Sequence, residues 1–158
     1  MTIKIKLIIS AVFLSLLFRA QTVTQVYKIK DLLTRIDTSK MPLVINFWAT
    51  WCKPCVQELP AFDSLSTSKN TCQVILVSLD FKEDIDKKVN PFLKKNNIVS
   101  ECVLLDEING NDYINKISEK WSGAIPATIF IGKEKTIFEE RKLKLIDLLR
   151  KLGDLEKK

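Results

Sequence analysis

The stretch LVINFWATWCKPC occupies residues 43–55 and holds two cysteines in a C-x-x-C spacing. Its first part, Leu43 to Trp48, is short, apolar and rich in β-branched residues, the pattern of a strand buried on both faces. A helix is predicted from about Pro54, so Cys52 stands at a strand-to-helix turn. There the unpaired N–H groups of the first helical turn and the positive end of the helix dipole favour a thiolate. Cys52 is therefore the expected nucleophile. Cys55, one turn deeper and more buried, would hold its proton longer and attack a mixed disulfide only after Cys52 has engaged a substrate. Pro54, with φ fixed in the first turn, costs no hydrogen bond.

Other uses of a C-x-x-C pair fit less well. A zinc site wants a second close pair of ligands, whereas Cys72 and Cys102 stand apart and the chain contains no His. A c-type haem attachment wants His after the second cysteine, where Val56 stands. The lack of His also removes Cys-His nucleophile pairs and imidazole bases.

Outward from this stretch, Val23 to Tyr27 reads as a short strand, and Ile29, Leu32, Leu33 and Ile36 recur at helical spacing. Gln73 to Leu79 is a second buried-strand run. Asp84 to Asn97 reads as helical, with Pro91 forcing a kink or restart. Val103 to Leu105 is a shorter strand, and Asn111 to Lys120 is a polar, helical stretch. Ala127 to Ile131 and Thr136 to Glu140, joined by a tight connection, should form a hairpin. Leu145, Leu148, Leu149 and Leu152 give a closing amphipathic helix that ends near Gly153. Strands alternating with helices, then a hairpin and a helix, indicate one α/β layered domain with a mixed sheet.

At 158 residues, 46% of them apolar, the chain suits one core and has little room for a second. Residues 1–20 read as a signal peptide: Lys4 and Lys6 precede an apolar run from Leu7 to Phe18, and Ala20 precedes Gln21. The run is short for a membrane span, so cleavage is favoured, although Phe18 stands where a small residue is preferred; the alternative is an anchor retained through residues 3–18. Either way the protein is expected to be exported, with residues 21–158 forming the mature domain in a periplasmic or other extracytoplasmic compartment. Without the leader's three basic residues, 22 basic and 19 acidic residues remain. The late lysines, Lys142, Lys144, Lys151, Lys157 and Lys158, fall among leucines at helical spacing and suit a solvated helix face, so no nucleic-acid partner is indicated.

The residues Phe47 to Cys55 resemble the active site of thioredoxins, and FWATWCKPC is most similar to exported TlpA/ResA-type thiol:disulfide oxidoreductases. The likeness covers roughly Leu43 to Glu140. It implies a thioredoxin fold, a central mixed β-sheet flanked by helices, with a TlpA/ResA-like helix-strand insertion between Leu79 and Asp106. It also implies dithiol–disulfide exchange with protein substrates, as a reductant, with no metal or organic cofactor and with recharging by a membrane electron donor. Pro60 matches the position where such proteins kink the active-site helix. Ile125-Pro126-Ala127-Thr128 matches the family's cis-proline loop, which pairs its backbone with substrate, so Ile125 and Pro126, with Pro54 and Trp51, are implied in substrate binding. Trp121 is a further candidate for the groove, and Phe47 is expected in the core.

Two departures stand out. Where thioredoxins carry a buried Asp, this chain has Asn46, which cannot exchange protons; Glu58, in the position of the Glu in ResA-like proteins, is the candidate base for Cys55. The segment before Leu43 reads as helical rather than as the β-hairpin common in TlpA-type proteins.

Two other functions compete. A peroxiredoxin-like peroxidase usually has Thr three residues before its cysteine and a Pro upstream; here Thr50 is two before Cys52 and no Pro stands near. A redox-inert binding module would have no chemical reason to keep Cys52, Cys55, Pro54 and Pro126 together. Lastly, Cys72 and Cys102 precede strands that the proposed fold makes parallel neighbours, which puts both at one end of the sheet. A structural disulfide between them is a candidate, against two separate buried thiols.

Overall fold

The computed structural model describes residues 22–68 and 71–157. The predicted leader, residues 1–20, lies outside the described residues. Six strands form one sheet: β1 Gln25–Tyr27, β2 Leu43–Trp48, β3 Gln73–Ser78, β4 Glu101–Leu105, β5 Ala127–Ile131 and β6 Thr136–Glu139. Their order is β1-β4-β3-β2-β5-β6. The first four run parallel, and β5 and β6 are antiparallel to their neighbours. This is the expected mixed sheet.

The fully apolar look of the central strands follows from burial on two faces. Val44 and Trp48 of β2 face one core, with Cys55, Leu59, Phe62 and Leu65 of α2 (Lys53–Ser68), Leu93 of α3 (Asn90–Lys95) and Leu148 of α5 (Leu145–Glu156). Leu43, Ile45 and Phe47 face the other, with Leu32 of α1 (Ile29–Asp37) and Ile117 of α4 (Ile114–Ile117). Alternate side chains of a strand point to opposite faces, so β2 serves both layers at once.

The segment around Pro91 resolves the conflict between helical pattern and proline. A 3₁₀ turn at Lys82–Asp84 leads into a π-helical turn at Ile85–Val89, and α-helix resumes only at Asn90. Proline offers no N–H and crowds the carbonyl four residues back, and a widened turn ahead of it relieves both. The stretch 111–120 holds less helix than predicted: a 3₁₀ turn at Gly110–Asp112 and then the single turn of α4. In contrast, α5 runs three residues past Gly153 to Glu156, because a glycine inside a helix weakens it without ending it.

The proposed disulfide between Cys72 and Cys102 is not formed; both are free thiols. The strands are parallel neighbours as expected, but they are staggered: Glu101 pairs with Ile75 and Cys102 with Leu76. Cys72 is therefore four residues from the level of Cys102, about 13 Å along the strand direction, well beyond disulfide reach.

Candidate redox site

The connection from β2 to α2 carries the two cysteines of the C-x-x-C pair. Cys52 immediately precedes α2, Cys55 lies in its first turn, and a disulfide joins them with Cα atoms 5.3 Å apart. The backbone N–H of Cys55 donates to Cys52 Sγ at 3.3 Å. This is the unpaired N–H expected at a helix start, aimed at the sulfur that must carry negative charge once the disulfide opens. Cys55 is fully enclosed, whereas Cys52 keeps an exposed edge. The helix continues through Pro60.

The loop before β5 closes the site from the opposite side. Ile125-Pro126 is a cis peptide, and the carbonyl oxygen of Ile125 lies 3.7 Å from Cys52 Sγ. Trp121 holds this loop from beneath. It is buried against Phe47, with ring centroids 4.6 Å apart, and its indole N–H donates to the Ala124 carbonyl at 2.8 Å. Trp121 thus braces the loop and does not line the groove, and Phe47 is in the core as expected. Trp51 is 67% exposed beside Cys52. It borders a cleft of about 410 Å³ together with Phe81, Ile108, Tyr113 and Ile125.

Glu58 sits one turn after Cys55 and is almost wholly buried. Its carboxylate accepts from Asn46 Nδ2 at 2.8 Å and from the backbone N–H of Leu143 at 2.6 Å. Burial pushes its proton affinity up to about 7, against these two hydrogen bonds and the positive charges of Lys142 and Arg141. A carboxyl group that titrates near neutrality can take or give a proton under ordinary conditions. The bond to Leu143 crosses from α2 to the connection before α5, and so it ties the closing helix to the site.

Sequence reasoning missed Asp80. This buried carboxylate accepts from the Thr50 N–H at 3.0 Å, from the Thr50 hydroxyl at 2.5 Å and from the Ser78 hydroxyl at 2.8 Å. It pins the turn that presents Trp51 and Cys52 to the end of β3. An aspartate directly after a buried strand was the available signal. Phe81 and Ile108 were also missed; they are 69% and 97% exposed, and each is a large apolar residue within a polar connection.

A disulfide at the start of a helix leaving a central strand, faced by a cis-proline loop, defines a thioredoxin-fold protein with a redox disulfide. The chain belongs to the AhpC/TSA family, whose profile matches residues 20–139. Among curated relatives, it is 31% identical over 122 residues to thiol-disulfide oxidoreductase ResA of Bacillus cereus, covering 73% of this chain and 66% of that protein. It is 26% identical over 102 residues to sporulation thiol-disulfide oxidoreductase A of Bacillus subtilis, covering 63% and 58%. The chain thus spans between a third and two thirds of the length of the first curated relatives it matches. A thioredoxin-related protein from Neisseria meningitidis shares the fold with a TM-score of 0.66 at 20% identity, covering 78% of this chain and 91% of that one.

Proposed function

We propose that this chain exchanges dithiol for disulfide with protein substrates through Cys52 and Cys55, acting as a reductant outside the cytoplasm. The observation that carries the reading is the Cys52 sulfur set between a helix-start N–H and the Ile125 carbonyl. In the reduced protein, the Cys52 thiolate attacks one sulfur of a client disulfide. The client S–S bond breaks, one client thiolate leaves, and a mixed disulfide forms. Cys55 then loses its proton to Glu58 and attacks Cys52 Sγ; the Cys52–Cys55 bond forms and the second client thiolate leaves. Two electrons pass from the protein to the client. The client segment lies along Ile125 and Pro126, with Trp51 and Pro54 at its border.

Export rests on the leader pattern of residues 1–20, and the names of two fold neighbours support it. One is a secreted thiol-disulfide isomerase of Corynebacterium glutamicum, and the other a secreted disulfide oxidoreductase of Mycobacterium tuberculosis. A membrane electron donor would restore the dithiol. A peroxidase is less well supported, because the Thr50 hydroxyl is committed to Asp80.

Insulin reduction and peroxide consumption, measured side by side on the reduced protein, test this reading. Insulin reduction without peroxide turnover is expected. Peroxide turnover alone would make the protein a peroxidase, and neither activity would leave a binding module.

A further inference from the structure

We propose that Asn46 is a positioning residue that fixes the proton affinity of Glu58, its side-chain amide turning over as the carboxyl group changes charge. The inference deepens the reading of Glu58 as proton acceptor for Cys55 and rests on it for its meaning in catalysis.

Asn46 is wholly enclosed on β2, level with Thr128 of β5. Its Nδ2 donates to Glu58 Oε1 at 2.8 Å and to the Thr128 hydroxyl oxygen at 3.1 Å, with the Ala127 carbonyl oxygen a longer acceptor at 3.5 Å, so both amide hydrogens are used. Its Oδ1 is buried without a hydrogen-bond partner among the described residues. An enclosed carbonyl with no donor is unfavourable, so a neighbour must hold the amide this way round. The carboxylate does so, with the Ala127 carbonyl as a weaker second acceptor. Turned over, the amide would set Oδ1 against Oε1, two acceptors with no hydrogen between them.

A proton on Glu58 lifts that bar to the turned amide. The carboxyl group then carries an O–H donor, and Oδ1 turned toward it accepts that hydrogen and can accept the Thr128 hydroxyl as well. The other neighbours of Glu58 do not have this property. The Leu143 N–H at Oε2 can only donate, and Lys142 and Arg141, on the same connection, favour the ionised form alone. Cys55, on Glu58's own helix, is the group that gives up the proton in the proposed reaction. Of the groups hydrogen-bonded to Glu58, Asn46 alone can either donate to the carboxylate or accept the hydrogen of the protonated group. A buried aspartate at this position would add a second negative charge; an amide adds none and leaves the proton on Glu58.

The test is ¹³C NMR titration of the Glu58 carboxyl in the reduced full chain, for wild type and Asn46→Leu, with the Asn46 side-chain NH₂ signals followed in wild type from pH 5 to 9. Loss of the donor in Asn46→Leu should raise the Glu58 midpoint by about one pH unit, a tenfold change in proton affinity. In wild type the Asn46 NH₂ signals should follow the Glu58 titration curve, a readout that needs no variant to fold. An unmoved Glu58 midpoint in a folded Asn46→Leu protein, or NH₂ signals flat through the Glu58 transition, would overturn the inference. The pH profile of disulfide exchange reports separately on catalysis. If it ignores a midpoint that Asn46 does move, the inference stands and the proton-acceptor reading of Glu58 falls.

Discussion

The two pairs of cysteines in this chain are arranged about one sheet and differ in the backbone groups and the register that govern their sulfur chemistry. Cys52 and Cys55 sit at a helix start, one with an exposed edge and an N–H directed at it, and are joined. Cys102 lies within the packed interior and Cys72 beside a surface cavity, both as free thiols. Burial pushes the Cys72 thiol up and the Cys102 thiol up to about 12. Composition is the same in both pairs, and each holds one wholly enclosed cysteine and one with a small exposed edge, so the difference comes from backbone N–H groups and register. Glu58 stands between the extremes: it is buried like Cys102, yet hydrogen bonds from Asn46 and Leu143 hold its titration near neutrality.

The largest expected effect tests the division of labour directly. Cys52→Ser should abolish disulfide exchange, a loss of about a thousandfold or more, because the proposed mechanism makes its thiolate the nucleophile. Cys55→Ser should instead accumulate the mixed disulfide with a defined client such as insulin, visible by non-reducing mass spectrometry. Normal turnover in Cys52→Ser would reverse the assigned roles.

The next contrast is kinetic. In reduced, folded protein at pH 8, iodoacetamide should modify Cys102 more than about a hundredfold more slowly than Cys52, since so little Cys102 is thiolate and the reagent cannot reach it. Peptide mapping over time measures this. Comparable rates would mean that the interior around β4 opens far more readily than its packing implies.

The same physics explains what could be read from the sequence. LVINFW marked the central strand, WCKPC the helix start, and Ile125-Pro126 the facing loop, because each rests on a local requirement: burial on two faces, a helix N-terminus, a backbone edge. The stagger of β4 against β3 depends on no local pattern. It is set by tertiary packing, and an error of a few residues in it was enough to suggest a disulfide between Cys72 and Cys102. Asn46 could be read only as an absent acid. Its role as a donor depends on Glu58 and Thr128, which are 12 and 82 residues away in sequence.

A third prediction uses pH to place Glu58 between the pairs. Its ordinary value of 4.5 applies in the unfolded chain, and it titrates at about 7 when folded. Below 4.5 both states hold the proton and the group contributes no pH dependence. Between these values only the unfolded chain releases the proton, so folding stability falls as pH rises, and above 7 it levels off. Relative to Glu58→Gln, wild type should lose up to about 3 kcal/mol between pH 4.5 and 7. Urea denaturation of both proteins at several pH values measures the difference. A flat difference would mean that Glu58 is not held against its charge.

The smallest effects belong to the free thiols. Cys102 is wholly enclosed beside the Trp48 indole N–H, which is buried without a hydrogen-bond partner. Cys102→Ala removes the sulfur beside that already unmet N–H and leaves a small cavity, at a cost of about 1–2 kcal/mol. Cys102→Ser brings a hydroxyl into the same enclosed place, ordinarily a penalty, but the indole can donate to it. Serine is therefore expected to destabilise no more than alanine. Cys72 borders a surface cavity lined by Met41, Ser66, Val99 and Ser100. Water can meet a hydroxyl there, so Cys72→Ser should cost under about 1 kcal/mol. Guanidinium midpoints give the order of the three, and the exchange rate should stay at the wild-type value in all of them. A several-fold drop in exchange for Cys102→Ser alone would break the comparison. Trp48 packs in the same core as Cys52 and Cys55, and such a drop would show the interior thiol acting on the redox pair through that indole.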